Sequence, residues 1–245
     1  MTIIIHPLQH IESANMNDLL DHLPFNYSIL ENLHFAFEET DSFFDLTKSH
    51  EIRYWKNMLF NRMNLLIRNY TYTIFYYNQD IPDEVWYKRS GTKGQSVEFF
   101  PDFKEEDYTK QFNFNYFSEY FFLQGFSIFE LLGHIIVNIY DIQLKMNEIS
   151  FHKAINKLKE KDLVKFYALD KIRNSNEFDD ASKHRNNITH KQHPQFISSG
   201  ITKYENGIVT AGVGNYTTSQ KVKEIMDGML MCLEKTIEIL NESKD

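Results

Sequence analysis

Apolar residues recur at intervals of three and four along much of the chain, the spacing that one face of an α-helix requires. Over residues 50–77 the pattern runs through Trp55, Met58, Leu59, Met63, Leu66, Ile67 and Tyr70. Over residues 115–140 it includes Tyr116, Phe117, Tyr120, Phe121, Phe129, Leu132, Ile136 and Ile139, apolar on most sides, and predicts a central buried helix. Over residues 219–240, Val222, Ile225, Met226, Met229, Leu233, Ile237 and Leu240 form a packing stripe. Shorter helices are predicted within the first forty residues, after Ser150, over residues 163–172 and over residues 176–190. Ser150 is placed to cap the helix that buries Phe151, Ala154, Ile155 and Leu158.

Two stretches interrupt the helical period. Residues 81–113 are punctuated by Pro82, Gly91, Gly94 and Pro101 and read as a long connection. Its Ser90-Gly91-Thr92-Lys93-Gly94 lacks the spacing of a phosphate loop and reads as polar surface. The second stretch, residues 196–218, contains Ile201 to Tyr204, then Asn206-Gly207, then Ile208 to Thr210. Asn-Gly supplies the positive φ angles of a tight turn, so one small β-hairpin is expected there.

The pattern implies a mainly all-α fold, with an extension of short helices over residues 1–49 and a helical domain over residues 50–245. Composition agrees: only 9 glycines and 5 prolines in 245 residues disfavour a turn-rich β-sandwich. The single cysteine, Cys232, cannot build a disulfide framework and sits in a helical pattern as a small apolar residue. No uninterrupted run of 18 apolar residues is present, and the Met1 to His6 stretch lacks a basic leader region, so the expectation is a cytoplasmic protein with no membrane span. The net charge of −8 excludes a general nucleic-acid coat, which would track phosphates with a basic surface. It leaves room for a local site that touches a few phosphates.

Two features carry candidate chemistry. The first is a polar stripe on the otherwise apolar helix 115–140: Ser127, Glu130, His134 and Asn138 fall within an arc of about 80°. It faces either water or a polar site. The second is Arg185-Asn186-Asn187-Ile188-Thr189-His190, which ends a polar helix just before Pro194. Acidic residues Glu177, Asp179 and Asp180 lie early in that helix and Lys183, Arg185 and Lys191 late, the order the helix dipole favours. Five residues rotate a side chain by about 140°, so Arg185 and His190 do not share a face of one regular helix. His184, His190 and His193 match no zinc-binding spacing, and no metal or cofactor is implied.

The Arg–four residues–His arrangement, with Asn186 directly after Arg185, resembles the signature of the HEPN superfamily. Trp86 to Gly91 and Val97 to Pro101, with a helix beyond them carrying Glu130, Gly133 and Asn138, resemble a bacterial HEPN subgroup named after an uncharacterised clostridial protein. The resemblance covers residues 50 to 240. It implies an up-and-down helical bundle, and a metal-independent ribonuclease of the kind found in toxin–antitoxin and phage-defence systems. It also implies an active site formed where two copies face each other, hence a homodimer, with RNA or a nucleotide as ligand and an antitoxin as a further partner. His190 would be the general acid/base, Arg185 the phosphate binder, and Asn186 a supporting residue, with Glu130 and Asn138 as further supports if their stripe faces the site.

The chemistry of the residues is compatible with that role. Metal-free RNA cleavage needs a base for the 2′-hydroxyl near neutral pH, where imidazole ordinarily titrates. It also needs a fixed cation at the phosphorane oxygens, to which guanidinium presents a planar fork. The competing readings are a non-catalytic HEPN module that binds a nucleotide, RNA or a partner protein, and a structural helical protein in which the motif is accidental.

Overall fold

The structure, a computed structural model, describes residues 3–21, 23–35, 43–89, 97–203 and 207–242. Ser90 to Gly94 and Tyr204 to Asn206 lie outside the described residues. Among those described, eight α-helices hold more than half of the chain: α1 (Met16–Leu20), α2 (Ser28–Glu31), α3 (Phe43–Tyr77), α4 (Glu105–Ile139), α5 (Phe151–Leu158), α6 (Leu163–Arg173), α7 (Asn176–His190) and α8 (Ser219–Asn241). The expected hairpin is present as β3 (Ile201–Lys203) paired antiparallel with β4 (Val209–Ala211), and Gly207 in its turn has φ of 80°. A second antiparallel pair joins β1 (Tyr87–Arg89) to β2 (Val97–Phe99), in the region expected to be a connection. All six of its strand positions are exposed, so no alternation of apolar and polar residues marks it.

The chain divides into two compact units. The first comprises residues 1–22, 69–121 and 183–226, the second residues 23–68, 122–182 and 227–245, so the long helices contribute to both. In the second unit the core is layered from Leu59, Met63 and Leu66 of α3, Phe129 and Leu132 of α4, Phe151 and Leu158 of α5, Phe178 of α7, and Met229 and Leu233 of α8. Its centre is aromatic. Phe129 meets Phe151 at 5.0 Å and Phe178 edge-on at 4.9 Å between ring centroids, the offset geometries that ring quadrupoles favour. Ser150 caps α5, accepting from the Lys153 N–H at 3.3 Å, as expected.

In the first unit Tyr70 and Ile74 of α3, Phe114, Phe117 and Phe121 of α4, and Val222 and Met226 of α8 are buried. The segment before α1 is tied to α4. Leu8 N–H donates to Asn113 Oδ1 at 2.7 Å, and Asn113 Nδ2 donates back to the His6 carbonyl at 3.2 Å. Buried Asp83 accepts from the Tyr216 hydroxyl (2.6 Å), the Ser219 N–H (2.8 Å) and the Ser219 hydroxyl (2.8 Å), fastening the start of α8. Burial raises the Asp83 carboxyl above its ordinary range, and the three donors partly offset that.

α4 begins ten residues earlier than the apolar pattern suggests. Its first turn carries Glu105, Glu106 and Asp107, and Asp107 reaches back to accept from the Lys104 N–H at 2.9 Å, one half of a capping box. By length and composition α4 is the one described helix apolar enough to cross a membrane; 56% of that apolar window is buried inside the protein, as befits a core helix.

Candidate functional site

α7 spans Asn176–His190, the range its charge order and Pro194 predict. Arg185 is half-buried on its last turns, Asn186 beside it is exposed, and His190 is exposed as the final helical residue. The Thr189 hydroxyl bonds back to the Arg185 carbonyl at 3.0 Å, one turn earlier on the helix, which ties the Thr189 side chain to the helix backbone. His190 therefore stands at the solvent-facing end of the helix, and Arg185 is held nearer its packed side.

The segment after His190 is anchored. Gln195 is buried, and its amide donates to Asn115 Oδ1 on α4 while its Oε1 lies 3.1 Å from the Ser118 hydroxyl. The Gln195 N–H donates to His193 Nδ1 at 3.2 Å, which leaves the proton of a neutral imidazole on Nε2. That nitrogen faces Glu119 Oε2 at 3.6 Å, too far for a hydrogen bond, so the contact is electrostatic. Burial lowers the His193 pKa and Glu119 opposes the shift. Thr217 N–H then donates to the Pro194 carbonyl at 2.8 Å. The chain after α7 is thus stapled onto α4, which fixes where His190 ends.

His184, one residue before Arg185, is buried, and burial together with the nearby His193 pushes its pKa down to about 3. The sign is that of a depressed base. The folded state holds His184 neutral, so its contribution is present above the unfolded value near 6.5 and is lost as pH falls from there toward about 3. Each pH unit in that window costs up to about 1.4 kcal/mol. Chemical denaturation at pH 7 and pH 5 is expected to show a lower midpoint at pH 5, and His184→Gln is expected to flatten the difference. An unchanged difference would mean that His184 does not carry it.

Glu130 and Asn138 belong to the second unit, and Arg185 and His190 to the first. The stripe itself divides: Glu130 is exposed to solvent, whereas His134 and Asn138 line a cavity. Neither Arg185 nor His190 lines the cavities bounded by Tyr77 and Gln220, by Ile172 and Cys232, by Trp55 and His134, or by Lys48 and Asp141. Sequence reasoning missed Asn115, Ser118, Glu119 and Gln195. Their partners lie some eighty residues away, and only Pro194 hinted that the helix must stop and turn there.

Compared with known families, the chain matches the model of the Cthe2314-like HEPN family over residues 55–242, a segment that contains α4, α7 and the whole Arg185–His190 motif. No curated protein and no solved structure matches it.

Proposed function

The chain belongs to the Cthe2314-like HEPN family, and from that premise we propose that it is a metal-independent endoribonuclease module, with residues 50–245 as its HEPN domain. The observation that carries the proposal is the motif's setting: an exposed His190 at the end of α7, a half-buried Arg185 before it, and a stapled segment after it. In the reaction, His190 takes the proton of a 2′-hydroxyl and the 2′-oxygen attacks the adjacent phosphorus. The bond to the 5′-oxygen breaks, and a proton delivered to that oxygen completes a 2′,3′-cyclic phosphate and a 5′-hydroxyl product. Arg185 holds the phosphate oxygens as charge builds on them, and Asn186 supports it. A toxin or phage-defence role, with an antitoxin as partner, is the biological setting proposed for that activity.

The offset of about 140° between Arg185 and His190 argues for a site completed by a second copy. Two His190 side chains across a two-fold axis also supply both a base and an acid. The first unit carries apolar surface suited to such a contact: Phe112, Tyr116 and Tyr120 lie exposed along one stripe of α4, and Phe196 is exposed beyond α7. Light scattering at micromolar concentration is expected to give a dimer, whose interface buries more than about 1,000 Å² in a crystal structure. A monomer would remove the composite site.

A second reading is a non-catalytic HEPN module that binds RNA, a nucleotide or a partner protein. It is favoured by the net charge of −8, which gives a ribonuclease little general attraction for RNA. Incubation of the purified chain with mixed RNA in EDTA separates the two readings: cleavage supports the first, and retention without cleavage the second.

A further inference from the structure

The second unit holds a site unrelated to the Arg185–His190 motif, and it accounts for the part of the α4 stripe that does not meet water. His134 and Asn138 line a cavity of about 530 Å³ together with Glu51, Tyr54 and Trp55 of α3 and Ile149. A neighbouring cavity of about 460 Å³ shares Glu51, Val137 and Asn138 with it and adds Lys48 and Asp141. Both volumes are in the range of small-molecule sites.

The walls have distinct chemistry. Trp55 is stacked on His134, with centroids 4.9 Å apart and planes 14° apart, which fixes both rings. Tyr54 packs edge-on to Trp55 at 5.2 Å and remains more than half exposed, a flat aromatic surface at the mouth. Asn138 Nδ2 donates to the His134 carbonyl at 2.9 Å, which orients the amide and leaves its Oδ1 without a partner among the described residues. The remaining N–H and that oxygen together form a donor–acceptor edge. Glu51 has no cationic partner among the described residues. Burial, aided by Arg62, lowers the His134 pKa, so at neutral pH its ring offers a hydrogen-bonding edge without charge.

Polar complementarity then selects the ligand. Glu51 brings a carboxylate to both cavities, Lys48 is paired with Asp141 at 2.7 Å, and Arg53, hydrogen-bonded to His50 Nδ1 on the wall, and Arg62 near His134 bring cations to the surroundings. A purely aliphatic ligand would leave the Asn138 edge unsatisfied. We propose that this cavity binds a planar nitrogen heterocycle carrying an exocyclic amine, of nucleoside size, with Asn138 pairing its edge, Glu51 accepting from its amine and Tyr54 stacking on its face.

The test uses the full chain with Trp86→Phe, which leaves Trp55 as the only tryptophan. Adenosine, titrated by Trp55 fluorescence and by calorimetry, is expected to bind saturably, with a dissociation constant on the order of tens to hundreds of micromolar. Asn138→Leu and Glu51→Gln are each expected to weaken it by about tenfold or more, because a site built to pair polar groups discriminates strongly when one is lost. Glu51 is exposed, so its variant tests the site even if Asn138→Leu disturbs the fold. No saturable binding, or binding by both variants as tight as that of the parent chain, would each overturn the proposal. RNA cleavage plays no part in the readout, so these outcomes do not bear on the ribonuclease reading.

Discussion

RNA incubated in EDTA is expected to be cut by the wild-type chain and left intact by His190→Ala. Loss of a positioned general acid/base removes about 10²–10⁴ in rate, which takes a slow nuclease below detection. The loss will not come from unfolding. His190 is exposed at the last position of α7, so its removal forfeits at most a few tenths of a kcal/mol of helix-end electrostatics. Arg185 behaves differently because it is half-buried: Arg185→Ala is expected to lower both the rate and, modestly, the melting temperature. Arg185→Lys separates the two effects. It keeps most of the aliphatic stem and the charge, yet an ammonium cannot present two parallel donors to a phosphate, so stability should return further than activity does. Cleavage that survives His190→Ala, or that requires a divalent metal, would sink the mechanism.

The parts of the molecule legible in its sequence are those where local chemistry decides structure. α7 is one: acidic residues early, basic residues late and Pro194 beyond set both ends, and no distant partner is needed to read them. The Ser150 cap and the Asn-Gly hairpin are likewise local. The first turns of α4 escaped because Glu105 to Thr109 has no apolar period; Asp107 acts there through the backbone. β1 and β2 escaped because every strand position is exposed and the pair is held from beside it. Trp86 lies parallel to Phe99 at 6.3 Å and packs on Tyr216 at 5.8 Å, a residue more than a hundred positions away.

The candidate site shows the same division. The Arg185–His190 motif was visible as a spacing, and the family match gives that spacing its context. The staple that fixes the end of α7 was not visible, because Gln195 reads as an ordinary polar loop residue until Asn115 and Ser118 are brought beside it. Periodicity alone leaves the α4 stripe between two meanings. Periodicity reports a face of a helix and says nothing about what the face meets: solvent at Glu130, a cavity at His134 and Asn138.

Gly133→Ala is expected to destabilise the fold by about 1–3 kcal/mol, the usual cost of overpacking, although alanine is the better helix former. Two effects compete. Replacing a mid-helix glycine gains about 1 kcal/mol in propensity. Against it, a Cβ at Gly133 would stand 2.8 Å from the Phe151 nitrogen and 2.9 Å from the Ser150 carbonyl carbon. Both are backbone atoms at the capped start of α5, where Ser150 is fixed by its bond to Lys153 and Phe151 by the ring cluster with Phe129 and Phe178. Backbone there cannot yield without lifting α5 from α4, so the steric cost wins. Gly125 provides the contrast on the same helix. Its Cβ would come within 1.9 Å of the Met229 methyl, a closer approach on paper, but that methyl is the far end of a flexible side chain that can rotate away. Gly125→Ala is therefore expected to lie within about 1 kcal/mol of wild type, with the propensity gain offsetting much of the repacking. Urea denaturation of the two variants side by side decides it. Equal midpoints, or a Gly133→Ala protein as stable as wild type, would show that the close seat of α5 on α4 is not what requires glycine at position 133.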